Sequence, residues 1–136
     1  MNEQAEPLIR TMIYISGDTL EHEVLTELFG FPPTEIGTKG KLKANGRTSH
    51  NETFWKYSKD IYEYSVSDAI LILLSELLSN KERLNEYVNT YGLEVSVICN
   101  VTITEDRPVY QIEKDVVNML SSIGAEFLMD IFDYSN

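Results

Sequence analysis

A twelve-residue alternation of apolar and polar side chains, residues 93–104, places the tightest constraint on the fold. Because successive side chains of a strand point to opposite faces, this pattern predicts a long strand with one face in the core and the other toward solvent. A strand with one solvated face is typical of antiparallel and mixed sheets. The apolar odd positions are Leu93, Val95, Val97, Cys99, Val101 and Ile103, and Ile98 is the one large apolar residue at an even position.

The rest of the chain mixes strand and helix patterns. Residues 8–16 are apolar on both parities, which predicts a central strand covered on both sides. Asp18 and Glu21 have the spacing of a capping box, at the start of a helix that Gly30 ends. Ser65 or Ser67 is expected to cap the next helix. The remaining predicted elements are helices over 69–78, 84–91 and 112–123, and strands over 52–58 and 125–134.

The order of these elements predicts the fold class. A length of 136 residues corresponds to one domain, since domains typically have about 150 residues. We therefore expect a single α+β domain over 1–136, in which a mixed or antiparallel sheet is covered by about four helices. The segment at about 36–51 holds three of the seven glycines and few large apolar groups, so we interpret it as a long basic loop.

Composition excludes several function classes. The chain has 22 acidic and 11 basic side chains and a net charge of −11, which argues against nucleic-acid binding because phosphates require Lys and Arg. No apolar run approaches the roughly 18 residues of a membrane span. The N-terminus is acidic and lacks the pattern of a secretion signal, so we expect a cytoplasmic protein with no membrane partner. A single Cys99, on the apolar parity of its strand, is expected to be buried and inert.

Two short motifs resemble catalytic or cofactor sequences but lack a required part. His22 and Glu23 form half of a zinc-protease motif, yet Thr26 occupies the position of the second histidine. Residues 37–41 resemble a phosphate loop, but the two glycines are too close together and no Ser or Thr follows Lys41. We therefore predict no catalytic residue, no metal ligand and no cofactor.

Basic side chains are concentrated in residues 36–59, which hold six Lys or Arg against one Glu. Four of them, Lys39, Lys41, Lys43 and Arg47, form a candidate anion-binding loop. This segment supports the alternative that the protein is a small phosphate-ligand binder or an enzyme. The simpler interpretation is a solvated loop without a binding role.

The remainder of the chain is strongly acidic, which favours a non-enzymatic protein-binding module. An acidic surface speeds association with a basic partner, for example when an immunity protein neutralises a basic toxin. The candidate partner-binding residues are Glu21, Glu23 and Glu27 on the first helix and Glu82 and Glu86 on the third. A further alternative is a homodimer or other structural oligomer, because helix 69–78 is apolar nearly all round and is either buried on most sides or covered by a partner.

Several short segments carry a resemblance to a known family. They are Ile15-Ser-Gly-Asp18 with the helix after it, Leu28-Phe-Gly-Phe-Pro-Pro-Thr34, Lys39-Gly40, Trp55-Lys-Tyr-Ser58 and helix 69–78. Together they resemble the bacterial domain of unknown function 4279 family. That family has no established activity to carry over, so the resemblance implies a compact bacterial domain and assigns no site residue.

Overall fold

A computed structural model describes residues 6–135. Residues 1–5, part of the acidic N-terminus on which the expected cytoplasmic location rests, lie outside this range. The strands are β1 (Leu8–Ser16), β2 (Glu35–Gly37), β3 (Phe54–Tyr62), β4 (Glu94–Ile103) and β5 (Ala125–Asp133). The helices are α1 (His22–Phe29), α2 (Val66–Leu77), α3 (Lys81–Tyr91) and α4 (Lys114–Ser122), with a 3₁₀ turn at Leu78–Asn80 between α2 and α3.

The strands form one mixed sheet in the order β2-β3-β1-β4-β5. β1 lies at the centre and pairs antiparallel with both neighbours, so that Ile13 lies opposite Tyr57 on one side and Val97 on the other. β4 and β5 are parallel and are connected through α4. The expected α+β class with a mixed sheet is confirmed.

The helices cover one face of this sheet. β4 alternates as predicted, with its odd residues buried and its even residues more exposed. Cys99 is fully buried, and burial raises the pKa of its thiol to about 12. The expectation that β1 is covered on both sides is wrong: Arg10 is exposed on the even face, and Met12 there is shielded by neighbouring strand residues rather than by a helix.

Three helices contact the sheet, namely α1, α2 and α4, whereas α3 packs mainly against α1 and the 3₁₀ turn. The expectation of about four covering helices is therefore off by one. α2 is buried on most sides, in agreement with the first of its two interpretations, and only Leu71 and Ile72 among its large apolar residues are partly exposed. Its first turn is capped by the Ser65 hydroxyl, which accepts a hydrogen bond from the Asp68 amide.

The predicted capping box at the start of α1 is wrong. The helix begins at His22, and Glu21 occupies the N-cap position without a side-chain hydrogen bond. Asp18 lies in the preceding turn, where the amide of Leu20 donates to Gly17 O at 3.2 Å, so the turn displaces the helix start. The end of α1 is as predicted, because Gly30 adopts the left-handed conformation with φ of 83°.

The segment interpreted as a long loop contains only short pieces of regular structure. It begins as β2 and continues into a small hairpin in which Leu42 bridges Ser49. The Asn45 side chain accepts hydrogen bonds from the amides of Arg47 and Thr48, and this Asx turn closes the hairpin.

Within residues 6–135, no helix combines the length and the apolar character needed to cross a bilayer.

Candidate partner-binding surface

α1 and α3 lie side by side, which brings the two predicted groups of glutamates together. The amide of Glu21 donates to the Tyr87 hydroxyl at 2.9 Å, and the Thr19 hydroxyl donates to Tyr91 O at 3.1 Å. At the other end, the Asn80 side chain donates to Leu28 O at 2.8 Å. These bonds hold the start of α1 against the end of α3, and the start of α3 against the end of α1. We call Glu21, Glu23, Glu27, Glu82 and Glu86 on this helix pair the acidic helical surface.

A groove of about 330 Å³ runs between the two helices. Val24 and Leu28 contribute apolar side chains to it, and the rings of Tyr87 and Tyr91 lie 5.1 Å apart along it. Tyr91 is half exposed, so an aromatic face is available to a bound protein. The remaining lining residues are Arg83, Glu86 and Thr90, which makes Glu86 the one member of the acidic helical surface inside the groove.

The five carboxylates of the acidic helical surface are all exposed. None of them takes part in the ion pairs formed within residues 6–135. Glu23 and Glu27 lie one helical turn apart, as do Glu82 and Glu86, and like charges at that spacing destabilise a helix slightly. The surface therefore carries five carboxylates outside the ion pairs of residues 6–135, and Arg83 is the basic side chain that lines the groove beside them.

The predicted anion-binding residues lie on the hairpin and the segment leading into it. Lys39, Lys41, Lys43 and Arg47 are all exposed, and Lys39 Nζ lies 3.8 Å from Asp18 Oδ1. Phosphate loops bind anions mainly through converging backbone amides. Here the amides of Gly40, Lys41 and Lys43 donate instead to His50 O, Thr38 O and Thr48 O.

The other basic residues of 36–59 are separated from the hairpin cluster. Lys56 Nζ lies 2.8 Å from Glu35 Oε1, and Lys59 pairs with Glu76 of α2. These two lysines lie on opposite faces of β3, since their positions have different parity. Three of the six cations of residues 36–59, namely Lys39, Lys56 and Lys59, thus lie beside a carboxylate, each at a different place on the molecule.

Sequence reasoning missed the uncovered sheet face, formed by even-numbered residues of β1, β3, β4 and β5; we call it the open face. Arg10 and Asp60 are cross-strand partners there, joined by hydrogen bonds of 2.6 and 3.1 Å, and the arginine holds the pKa of Asp60 below its usual range. A depression of about 560 Å³ lies beside this pair, lined also by Met12, Lys56 and Asn100. Arg10 inside the first strand pattern was a signal of an exposed face. Asp60 lies beyond the strand predicted over 52–58, and only the register of β1 and β3 shows that the two side chains meet.

A model of one protein family matches residues 7–134, described as a domain of unknown function (DUF4279). The chain belongs to the DUF4279 family. The resemblance identified from short motifs is thus confirmed over nearly the whole chain. No curated protein and no solved structure gives a significant match. The DUF4279 match includes both the acidic helical surface and the open face.

The two histidines of this DUF4279 chain lie on either side of the same glycine. His22 Nε2 is 3.0 Å from Gly37 O, and the His50 ring packs edge-on against Phe54 with centroids 5.5 Å apart. A Cβ at Gly37 would lie 2.2 Å from the Phe54 ring, so glycine is required for this close packing. Both histidines therefore help to position β2 and the hairpin. In the described part of the chain, no three His, Cys, Asp or Glu side chains converge as metal ligands.

Proposed function

We propose that this DUF4279 protein is a non-enzymatic protein-binding module that binds a basic partner through the acidic helical surface. The observation that carries the proposal is the meeting, on two adjacent helices, of five exposed carboxylates that form no ion pair in the described part of the chain. Such a surface attracts a cationic protein over long range and raises its association rate. The half-exposed Tyr91 in the groove supplies an aromatic contact of the type common in protein interfaces.

The partner that fits this surface best is a protein whose own active surface is cationic. A toxin that acts on nucleic acid is such a protein, because it must attract phosphates. An immunity protein that covers that cationic site would neutralise the toxin by direct occlusion. In this proposal the protein acts in the bacterial cytosol, and a single buried thiol without a disulfide suits a reducing compartment.

The alternative of a phosphate-ligand binder or an enzyme using residues 36–59 has weaker support. Three hairpin amides already donate to backbone carbonyls, so an anion would be held by surface side chains alone. Lys56 and Lys59 are each paired with a carboxylate. The carboxylates of the acidic helical surface, in contrast, form no ion pair within residues 6–135.

The test uses the protein encoded by the gene next to that of this chain. If that protein is cationic, it is purified and mixed with the full chain. Two reversal variants remove the predicted site: Glu23→Lys with Glu27→Lys, and Glu82→Lys with Glu86→Lys. We expect each to lower the association rate at low salt by about tenfold or more, since charge steering acts mainly on that rate. Raising the salt should reduce the wild-type rate toward that of the variants.

A matched control reverses two exposed glutamates away from this surface, Glu105→Lys with Glu113→Lys, which changes the net charge by the same amount. The control is expected to lower the rate far less than either reversal on α1 or α3. If both reversals leave the association rate with the cationic partner unchanged at low salt, the acidic helical surface is not the binding site. If the control lowers it equally, only net charge matters.

A further inference from the structure

The two edges of the sheet differ in length and protection. β2 has three residues, whereas β5 has nine and pairs with β4 from Ala125 to Asp133. No strand within residues 6–135 pairs with the outer side of β5. In a parallel ladder, only every second residue directs its backbone N–H and C=O groups toward the paired strand. The remaining residues of β5 therefore direct these groups away from β4. β5 therefore offers a long row of unpaired donors and acceptors.

The side chains of β5 do not protect this edge. Natural edge strands are commonly short or carry charged residues, especially lysine, or proline. β5 is long and has no lysine or proline, and its charged residues are the three carboxylates Glu126, Asp130 and Asp133. Leu128, Ile131 and Phe132 expose 53%, 46% and 44% of their surface. An apolar groove of about 420 Å³ lies beside the strand, between α4 and β5, and includes Phe127 and the half-exposed Val117. Apolar surface thus flanks the free edge on both sides of the sheet.

The order of residues along β5 avoids like-charge contacts in the antiparallel register that pairs all nine of its residues. A two-fold axis normal to the sheet keeps the open faces of two copies on the same side, so only residues of equal parity lie opposite each other. With the axis at Met129, Leu128 faces Asp130 of the second copy, Phe132 faces Glu126, and Phe127 faces Ile131. No carboxylate faces another carboxylate in this register.

The two adjacent registers are less favourable because they oppose like charges. An axis at Leu128 places Glu126 opposite Asp130 of the second copy, and an axis at Asp130 places that residue opposite itself. We propose that β5 pairs antiparallel with β5 of a second copy about an axis at Met129. The two five-stranded sheets then form one continuous sheet, and the acidic helical surface of each copy stays available.

Net charge gives this contact a salt dependence opposite to that of partner binding. Each chain carries −11, so two copies repel at low ionic strength. Raising the salt to about 1 M shortens the screening length to about 3 Å and removes most of this repulsion. Salt therefore strengthens the dimer, whereas it weakens association of the acidic helical surface with a cationic protein.

The experiment is sedimentation equilibrium of the full chain across a salt series, with three variants. Leu128→Glu faces Asp130 of the second copy with a like charge, and Leu128→Lys faces it with an opposite charge. Leu42→Glu, at the exposed hairpin leucine, controls for the added charge. We expect salt to strengthen the wild-type dimer, Leu128→Glu to weaken it about tenfold or more, and Leu128→Lys to retain it.

Three results would contradict this dimer or its register. A monomer at every salt concentration, up to roughly 1 mM protein, overturns the proposal. Equal weakening by Leu128→Glu and Leu42→Glu overturns it too, because net charge alone then governs association. Equal weakening by Leu128→Glu and Leu128→Lys rejects the register at Met129. Each of these results leaves the binding of a cationic partner by α1 and α3 unaffected, so the two proposals fail separately.

Discussion

The open face and the acidic helical surface both carry carboxylates but use them differently. On the part of the open face around β3, Asp60 lies within hydrogen-bond distance of Arg10 of β1, and Lys56 lies within hydrogen-bond distance of Glu35 of β2. On the acidic helical surface, five exposed glutamates form no ion pair within residues 6–135. Charge thus joins neighbouring strands in one region and stays exposed and outside these ion pairs in the other.

The difference follows from how each element holds its side chains. The ladder between β1 and β3 fixes Arg10 opposite Asp60, so little side-chain entropy is lost when the pair forms. The glutamates of the acidic helical surface are long, flexible and exposed to water. They keep their side-chain entropy in the folded chain, and in the proposed complex they act mainly on the rate of encounter.

The largest expected difference between the two regions is in apolar packing. Met12 on the open face is only 8% exposed, so Met12→Ala should lower the free energy of unfolding by about 2 kcal/mol. Val24, half-buried in the groove between α1 and α3, should cost about 1 kcal/mol or less when changed to alanine. Urea denaturation of both variants measures this. Equal losses would mean that the groove is packed as tightly as the sheet.

An intermediate effect is expected from removing one paired charge. Asp60→Asn should lower the free energy of unfolding by up to about 1 kcal/mol at neutral pH, since exposed pairs contribute little. Its hydrogen bond with Arg10 lowers the pKa of Asp60 in the folded state. The stabilisation is therefore complete above the ordinary Asp pKa of about 3.9 and is lost as the pH falls through the lowered folded value.

Urea denaturation across a pH series provides the measurement, and the gap between wild type and Asp60→Asn should close in strongly acidic buffer. The matched variant on the helices, Glu23→Gln, removes an unpaired charge and should leave stability unchanged or slightly raised at neutral pH. If Glu23→Gln lowered the free energy of unfolding as much as Asp60→Asn, Glu23 would have a stabilising partner. The contrast between paired and unpaired carboxylates would then be wrong.

The smallest expected effect is a gain. Glu27→Lys places a lysine four residues after Glu23, which is the favourable order for a helical ion pair. It should raise the free energy of unfolding by about 0.3–0.5 kcal/mol at low salt, and the gain should diminish as salt is added. Thermal unfolding at two salt concentrations measures it. A stability loss would indicate that Glu27 already contributes to the native structure.

Local features of the fold could be predicted from the sequence. The alternation over β4 identified its buried face and the burial of Cys99, because side-chain parity in a strand is a local property. Ser65 and Gly30 marked a helix start and a helix end, since each acts through backbone groups within one turn. Parity also identified β1 as apolar on both faces, but it could not tell whether a helix or neighbouring strand residues would cover the second face.

The candidate surfaces were decided by tertiary structure. The five glutamates could be named from their charge, yet only the packing of α3 on α1 brings residues about 60 positions apart onto one surface. The Arg10–Asp60 pair depends on the register of two strands, and the free edge of β5 depends on strand order. Composition and periodicity act over a few residues and determined the elements of this protein. Contacts between distant segments depend on how all the elements pack at once, and they determined which charges are neutralised and which remain exposed.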